Sequence, residues 1–371
     1  MLKERYLQSK FDEIQVGDNS LHLYRNPIEL STAMLAAIDE ARECVYLEAS
    51  TWRDDETGWA FAQHLSQRAA QGVEVYVMCS NWSQPKGSSA FGSFPAGVHR
   101  LGTTPFRRPC RVLDLRRYAP DHRTLLVVDG MIGFIGGFHL GCLYRHTVLD
   151  THLRLRGPVT ADLAYTFIER WNRFSSPREQ ITRRFRRIFD PYINIRANDA
   201  LRLTFPIRDM YIESIDRVEQ SIFLTNESFV PDHSMLGALS AAVARGVDVR
   251  VLVPRPSNSM LIDRITCSLF TRCLHAGMRL YVSRLRSLKS KTCTIDGQWS
   301  TIGSAHLDLF SSAINYELNI EVYDMAFASQ MQQIFAHDIA DAHALSLTTW
   351  LNRPWYWKLS EHMLAPFRLL F

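Results

Sequence analysis

Two short segments of the chain each begin with a basic side chain and run through an apolar stretch to an aspartate and a glycine. The first covers 122–130 and begins with His122, and the second covers 289–297 and begins with Lys289. Alternation along a strand puts residues 122 and 124 on one face, as it does 289 and 291. Side chains at the start of two such strands can point together into a cleft. There, histidine and lysine could attack an electrophile, move protons or bind an anion.

The two segments belong to an internal duplication. Four blocks of the first half recur in the same order in the second half, at offsets that fall from 177 to 167 residues. This drift indicates that loops differ in length while the elements between them persist. The matched blocks are 38–47 with 215–224, 72–77 with 246–251, 122–137 with 289–304, and Asp150 with Glu317.

Helical and strand patterns alternate within each half, which predicts an α/β fold. Buried strands are indicated by short apolar runs that follow helix-ending glycines. The predicted helices cover 31–43, 57–71, 158–174, 209–219, 234–245, 259–275 and 325–345. The predicted strands cover 44–50, 73–79, 124–129, 131–136, 221–225, 247–253, 278–283, 291–296, 300–303 and 317–323.

The paired segments resemble the signature of the phospholipase D superfamily: H-x-K-x4-D, six residues, G-[GST], and an asparagine two residues later. Both copies hold the aspartate, the six-residue gap and the glycine, from Asp129 to Gly136 and from Asp296 to Gly303. The two aspartates are predicted to be structural. Within the superfamily the chain is most similar to bacterial cardiolipin synthases of the shorter, non-transmembrane type. The stretches that carry this likeness are 150–158, 297–304, 315–319 and 350–354.

The resemblance implies two similar phospholipase D-like lobes, each a mixed sheet flanked by helices, related by a pseudo-twofold axis. It divides the chain into a first lobe at 1–177, a basic linker at 178–200, a second lobe at 201–349 and an amphipathic, aromatic C-terminal segment at 350–371. The linker either lies on anionic lipid or forms a solvated helix between the lobes. The C-terminal segment either lies at a membrane interface or packs on the second lobe.

The resemblance also implies roles for individual side chains. In the superfamily one histidine attacks phosphorus and becomes a phosphohistidine, while the other protonates the leaving alkoxide and deprotonates the incoming alcohol. Lysines and asparagines hold the phosphoryl oxygens, and a carboxylate orients each histidine. His122 keeps the first histidine position and Lys291 the second lysine position. Asp150 is expected to orient His122, and Glu317 occupies the matching place after Lys289.

Four positions depart from the signature. Lys289 replaces the second histidine, Thr124 replaces the first lysine, and His139 and His306 replace the two asparagines. The implied phosphate-binding group is therefore Thr124, His139, Lys291 and His306. Lysine has a reference pKa of about 10.4, against about 6.5 for histidine, and is a poor base at neutral pH. Losing a positioned base costs about 10²–10⁴ in rate, unless His139 or His306 takes over that role.

Plainer interpretations of the same residues stay open. His122 could be a buried histidine with satisfied hydrogen bonds, and Lys289 and Glu317 could form a simple ion pair. His139 and His306 could bond only to the backbone. The three histidines with the carboxylates at 150 and 317 also form a conceivable set of metal ligands, although two nearby lysines disfavour a cation. We expect neither metal nor cofactor.

Composition narrows the choice of partner. The chain is 46% hydrophobic and 22% charged, with a net charge of +4, which is too weakly basic to argue for nucleic acid. It holds no run of 18 apolar residues, and its N-terminus is polar, so we predict neither a spanning helix nor a signal peptide. The expected partners are anionic phospholipid and the membrane surface, reached from the cytoplasm at the inner face of the cell membrane.

The predicted function is that of a phosphatidyltransferase similar to cardiolipin synthase. It would pass a phosphatidyl group through His122 to the hydroxyl of another phospholipid. Two alternatives stay open. One is a catalytically impaired scaffold that only binds anionic phospholipid, and the other is a phosphodiesterase that acts on nucleic acid.

Overall fold

The computed structural model describes residues 11–80, 91, 94–95, 97–103, 121–141, 148–255, 260–284, 287–355 and 363. Over these residues the chain forms two lobes, each built on a mixed eight-stranded sheet flanked by helices. The predicted α/β class and two-lobed architecture are confirmed. Each predicted helix and strand corresponds to an observed element, with ends shifted by a few residues.

The first sheet is built from the first 156 residues. Its strands are β1 (Ile14–Val16), β2 (Asn19–Tyr24), β3 (Cys44–Ala49), β4 (Glu74–Ser80), β5 (Val98–Thr103), β6 (Leu125–Val128), β7 (Ile132–Gly136) and β9 (His152–Arg156), with the short β8 (Val148–Leu149) outside the sheet. Their order in space is β1-β2-β9-β7-β6-β3-β4-β5. The flanking helices are α1 (Pro27–Asp39), α2 (Glu56–Ala70) and α3 (Thr160–Phe174).

The second sheet repeats this plan. Its strands are β10 (Ile193–Ala197), β11 (Ser221–Thr225), β12 (Asp248–Val253), β13 (Arg279–Val282), β15 (Thr292–Ile295), β16 (Trp299–Gly303), β17 (Leu318–Tyr323) and β18 (His343–Ala344), with the short β14 (Ser287–Leu288) outside it. Their order is β10-β17-β16-β15-β11-β12-β13-β18. The helices are α4 (Pro206–Arg217), α5 (His233–Ala244), α6 (Met260–His275), α7 (Leu309–Ala313), α8 (Met325–Ala340) and α9 (Leu347–Leu351).

The shared order of six strands is the structural form of the sequence repeat. β9-β7-β6-β3-β4-β5 in the first lobe corresponds to β17-β16-β15-β11-β12-β13 in the second. The central strands are continuous apolar runs because helices cover both faces of each sheet. Gly72 and Gly246 end matched helices with φ of +91° and +95°, a conformation that L side chains rarely adopt.

The two motif aspartates hold the strands that carry the site. Asp129 accepts hydrogen bonds of 2.8 Å from the backbone N–H groups of residues 42, 43 and 44, at the start of β3. Asp296 accepts three such bonds from residues 219, 220 and 221, at the start of β11. Both have φ of +52° in the tight turn that follows the motif strand. Each carboxylate therefore fixes the motif strand to the neighbouring antiparallel strand, β6 to β3 and β15 to β11.

The basic linker is not a helix, so that interpretation is wrong. Residues 180–190 carry no helix or strand, after a 3₁₀ turn at Pro177–Glu179. Their apolar side chains pack on the first lobe: Ile181 is 4% exposed, and the Phe185 ring meets Tyr46 edge-on at 6.2 Å. β10, inside the predicted linker, is the edge strand of the second sheet. The second lobe therefore begins before residue 201.

The C-terminal segment is described at residues 350–355 and 363, and the rest of it lies outside the described residues. Trp350 packs on the second lobe, where its indole N–H donates to Thr271 Oγ1 at 3.0 Å and its ring lies 5.6 Å from Phe270. Trp355 is 73% exposed. Among the helices described here, none has the length and apolar content to cross a bilayer.

Candidate active site

The two motif segments begin where the lobes meet, and each is hydrogen-bonded to the other lobe. The His122 N–H donates to the Tyr316 carbonyl at 3.2 Å, and Asp121 forms a parallel bridge with Tyr316. In the symmetric arrangement, β14 pairs in parallel with β8, and the Lys289 N–H donates to the Leu149 carbonyl at 2.8 Å. Backbone pairing across the lobes therefore brings both motif starts to one cleft.

His122 pairs with a carboxylate of the second lobe. Its Nδ1 lies 3.2 Å from Glu317 Oε1, and Glu317 is fully buried while the histidine side chain is 40% exposed. Ser304 and Ser311 hydroxyls donate to the two Glu317 oxygens at 2.6 and 2.9 Å, which fixes the carboxylate. Burial opposes charge on the imidazole, but Glu317 outweighs it and raises the pKa of His122 above its ordinary value.

The expected pairing of His122 with Asp150 within one half is wrong. A Cβ atom at Gly137 would lie 3.1 Å from Asp150 Oδ2 and 3.1 Å from Lys291 Nζ, so Asp150 stands beside the second lobe's lysine. The reason is the backbone pairing across the lobes, which carries each carboxylate to the motif of the other half. The suggested ion pair of Lys289 with Glu317 is wrong for the same reason. Glu317 contacts His122, and Lys289 contacts Glu227 instead.

Lys289 and Lys291 are held by a carboxylate that the sequence analysis did not single out. Both ammonium groups contact Glu227: Lys289 donates to Oε1, and Lys291 Nζ lies 3.2 Å from Oε2. Lys291 is 5% exposed and also donates to the Lys289 carbonyl at 2.8 Å. Burial would raise the pKa of Glu227, but Lys291 and the other bases around it lower that pKa to about 2. At neutral pH this carboxylate stays charged.

His306 and His139 both belong to this cluster. The rings of His306 and His122 meet edge-on at 5.7 Å. Burial and then Lys291 lower the pKa of His306, and Glu227 opposes that effect. His139 lies 3.2 Å from the Ser50 hydroxyl, and Lys289 and Lys291 act on its charge. Burial, followed by these lysines, lowers the pKa of His139 to about 4, and burial with Lys291 lowers that of His306 further below its ordinary value. Both imidazoles are therefore neutral at pH 7.

Thr124 does not offer a proton to the cleft. It is 1% exposed, and its hydroxyl donates to the Gly136 carbonyl. A hydroxyl has one proton, and a phosphoryl oxygen needs a donor. The expectation that Thr124 binds phosphate is wrong, because its one donor is already used inside the first lobe.

The glycine of each motif lies against the neighbouring strand. A Cβ at Gly136 would approach His152 Nδ1 to 2.4 Å, and one at Gly303 would approach the Leu318 carbonyl to 2.2 Å. Gly136 also has φ of +154°. Any side chain at these positions would push the strand away, together with the Glu317 that precedes Leu318. These two glycines therefore hold the cleft together.

Within the described residues, no group of three or more histidine, cysteine or acidic side chains is arranged to hold a metal ion. What the cleft does hold is one histidine with a buried carboxylate, two lysines bridged by a carboxylate and two neutral histidines. A nucleophile, an ammonium donor and anion-binding groups around one space suit the transfer of a phosphoryl-type group.

Comparison with known proteins agrees with this geometry. A family model described as "Cardiolipin synthase, PLD-like domain" matches residues 211–339. A cardiolipin synthase of Listeria monocytogenes serotype 4b (strain CLIP80459) is 26% identical over 365 residues, which is 94% of this chain and 74% of that protein. One from Staphylococcus aureus (strain Mu50) is 27% identical over 362 residues, 93% of this chain and 72% of that protein. Residues 211–339 therefore form a phospholipase D-like domain, and the chain as a whole is similar to cardiolipin synthases.

A solved structure shares the fold of the whole chain. A solved phosphatidylserine synthase of Haemophilus influenzae Rd KW20 superposes with a TM-score of 0.71 and 12% identity. That likeness covers 99% of this chain and 96% of the other. Both lobes, and not only the second lobe matched by the family model, therefore share the known two-lobed architecture.

Two carboxylates of this phospholipase D-like cleft escaped the sequence analysis, Glu227 and Asp308. Glu227 follows the buried strand β11, where the first half has Ser50 at the matching position. A polar side chain directly after a buried strand was the available signal. Asp308 comes two residues after His306, and burial raises its pKa to about 6, with Glu317 adding to the effect. No sequence signal marks it, because the matching residue is Gly141.

Proposed function

We propose that the protein is a phosphatidyltransferase that passes a phosphatidyl group from one phospholipid to the hydroxyl of another, as its relatives' name implies. The observation that carries the proposal is the contact of His122 with the buried Glu317 at 3.2 Å, in a cleft that also holds Lys289 and Lys291. This arrangement presents a nucleophile to an anionic phosphodiester and holds two cations beside it.

In the first step His122 attacks the phosphorus. Because Nδ1 faces Glu317, Nε2 is the nitrogen that faces the substrate, and Glu317 stabilises the positive charge that the ring acquires. The Nε2–P bond forms and the bond from phosphorus to the headgroup oxygen breaks. Lys291 compensates charge on the phosphoryl oxygens. The departing alkoxide takes a proton from the Lys289 ammonium and leaves as an alcohol.

In the second step the proton returns. The acceptor hydroxyl gives its proton to the neutral Lys289 amine while its oxygen attacks phosphorus, and the Nε2–P bond breaks. One proton leaves Lys289 and one comes back, so a single lysine completes the cycle without a second histidine. The cost lies between the steps, because solvent can reprotonate the amine before the acceptor arrives. We therefore expect turnover well below that of a site with two histidines.

The proposed partner is anionic phospholipid at the inner face of the cell membrane, with the protein bound peripherally. Trp355, 73% exposed at the start of the aromatic C-terminal segment, supports this proposal because tryptophan favours the interface of a bilayer. The cationic cleft supports it as well, since phosphodiester headgroups are anions.

The test uses vesicles that contain phosphatidylglycerol. If this lipid serves as both donor and acceptor, the products are cardiolipin and glycerol, which thin-layer chromatography and an enzymatic glycerol assay detect. Labelled phosphate should be trapped on His122 when the reaction is stopped in acid-free conditions. Absence of both products and of labelled histidine would reject the transferase. Salt-sensitive cleavage of single-stranded DNA would point to a nuclease instead.

A second candidate is a scaffold that binds phospholipid and turns it over slowly or not at all. Two observations favour it: Lys289 stands where the superfamily has its second histidine, and the Thr124 hydroxyl is turned into the protein. Vesicle sedimentation separates the two functions. Binding to phosphatidylglycerol vesicles without any product, in wild-type protein that is fully folded, would establish the scaffold.

A further inference from the structure

The protein has a second cationic feature outside the cleft. A cavity of about 220 Å³ lies between α3 of the first lobe and residues 195–206 of the second. Arg123 lines it, although its chain neighbours His122 and Thr124 belong to the cleft side. Six arginines line this cavity, against two carboxylates, Glu169 and Asp199. The arginines are Arg123, Arg170, Arg173, Arg187, Arg196 and Arg202.

Arg123 is the least satisfied of them. It is 4% exposed, and its Nε is buried without a hydrogen-bonding partner among the described residues. Its guanidinium lies over the Tyr316 ring at 5.3 Å from the centroid, near the acidic side chains of Glu48 and Asp121. A buried charged group with an unsatisfied donor destabilises the folded state, so an anion bound to this side chain would stabilise it.

Arg170 supplies a second donor. It is 3% exposed, and its Nε and Nη2 are bound by Glu48 and Asp121. Its remaining nitrogen, Nη1, is buried and has no partner among the described residues. Two buried guanidinium groups that line one cavity thus each keep an unused donor.

The charges of the groups around Arg123 and Arg170 also favour the binding of an anion. Burial, and then the neighbouring Asp121, raises the pKa of Glu48 to about 8, so at pH 7 its carboxyl is largely neutral. Burial and then Arg170 lower the pKa of Arg123, as expected for crowded cations. With Asp121 as the one remaining charged acid among these four groups, the cluster carries an excess positive charge.

We propose that this cavity binds a phosphate-class anion, held by the free donors of Arg123 and Arg170. Guanidinium groups suit phosphate because their planar forks match its oxygens in pairs. Arg187 and Arg202, 63% and 57% exposed, stand at the rim, where they lie 4.0 Å from Asp162 and 3.3 Å from Glu169 and add positive charge to the entrance. The phosphate belongs either to a phospholipid headgroup or to a free phosphate in solution.

An anion bound in this cavity would affect the cleft through one residue, Asp121. Arg170 holds Asp121, which precedes His122 and bridges to Tyr316 across the lobes. An anion on Arg123 and Arg170 neutralises the cluster that anchors this segment. The site is therefore expected to stiffen the start of the His122 strand, and phosphate should raise the melting temperature.

The experiment titrates inorganic phosphate into the full chain by calorimetry, in low salt. We expect two binding events in the wild type. Arg123→Met should weaken one of them at least about tenfold and spare the other, since it removes charge-assisted bonds. Lys291→Met, which alters the cleft, should do the reverse. A titration in which Lys291→Met removes all binding and Arg123→Met none would overturn the proposal.

Two further variants guard against misfolding. Should Arg123→Met fail to fold, Arg187→Ala with Arg202→Ala changes only exposed rim residues and should weaken the same event several-fold, roughly as lost surface charges do. Arg279→Ala, 61% exposed and outside the cavity, is the matched control and should leave both events unchanged. Equal effects of the rim and control variants would contradict the proposal.

Vesicles separate the two sources of phosphate. Sedimentation with phosphatidylglycerol in phosphatidylcholine, against phosphatidylcholine alone, should fall in Arg123→Met if the ligand is a headgroup. If the vesicle result is unchanged while phosphate binding is lost, the ligand is free phosphate; if neither changes, the site does not exist. The transferase proposal is judged separately, by product formation, which these binding measurements do not require.

Discussion

The two halves carry their positive charges on opposite sides of the same motif strand. In the second half Lys289 and Lys291 face the cleft, and the residue between them is the buried, neutral Ser290, 3.1 Å from the Thr151 hydroxyl. In the first half the position that matches Lys291 is the neutral Thr124, and the position that matches Ser290 is Arg123. The cationic side chains of the second motif strand therefore lie on the cleft side, and Arg123 of the first lies on the opposite side.

The acids behind the strands differ in the same way. In the first half the acidic residues Glu48 and Asp121 accompany the arginines, whereas the matching residues of the second half are Thr225 and Leu288, which cannot ionise. One duplicated scaffold has thus specialised into a half with a nucleophile and a charged interior and a half with two cleft lysines and a neutral interior. A phosphate site needs its cations in one place, and either half can supply them.

The largest effect is expected from removing the nucleophile of the first half. His122→Ala should reduce product formation by about 10⁴-fold or more, because His122 is the imidazole that Glu317 holds and stabilises as it acquires charge. The measurement is cardiolipin formation from phosphatidylglycerol vesicles, with trapped label on the protein as a second readout. His64→Ala, which loses only a surface ion pair with Asp39, is the control. Equal turnover in both variants would place the nucleophile elsewhere.

The next effect is a gain in the second half. Lys289→His restores the second histidine of the superfamily, whose pKa near neutrality suits both donation and acceptance of the proton. We expect turnover to rise between about 10²- and 10⁴-fold, the range that a positioned general base contributes. Initial rates across pH 6 to 9 measure it. Lys289→Gln, which can do neither task, should fall below the wild type; a rise there too would remove the acid–base role of position 289.

The exchanged carboxylates give a smaller and more specific effect. Glu317→Gln removes the charge that raises the pKa of His122, so that pKa falls. Since only neutral imidazole attacks, the rise of rate with pH should move to lower pH, while the maximal rate falls about 10- to 100-fold as Glu317 no longer stabilises the charged ring. Asp150→Asn should leave the position of this limb unchanged. A shift in Asp150→Asn instead would restore the pairing within one half.

The smallest effect concerns stability. In the folded state the pKa of Glu48 is raised to about 8, from an ordinary value of 4.5. The folded state thus holds more protons than the unfolded state between these values, and the free energy of unfolding falls as pH rises across them. Glu48→Gln should remove roughly 1–3 kcal/mol of that fall, by urea denaturation at pH 5 and pH 8. The exposed Glu219→Gln is the control.

The two-lobed architecture could be predicted from the sequence because the repeat consists of buried apolar strands and the turn residues between them. Matched glycines at 72 and 246 and matched aspartates at 129 and 296 act locally, within one lobe, and so keep their spacing. The short edge strands β1 and β10 were not foreseen, since edge strands need no apolar run. The linker pattern misled because its apolar residues pack on the first lobe without forming a helix.

The site was harder to predict than the fold. The duplication predicts that five basic side chains lie together, but it does not predict which pairs are in contact. They are His122, Lys289, Lys291, His139 and His306. Glu317 contacts His122 of the other half, and Asp150 contacts His152 and lies near Lys291, because short backbone segments pair across the lobes. Spacing along the chain carries no information on such exchange, which depends on how the two copies dock.

That exchange has an evolutionary consequence. A single-lobed ancestor with the same docking could not orient its own histidine and would have worked only as a symmetric pair of identical molecules, each lending an acid to the other. Two such copies on one polypeptide no longer need to be identical. From that point a substitution in either copy changed half of the site instead of both halves, and the two copies were free to diverge.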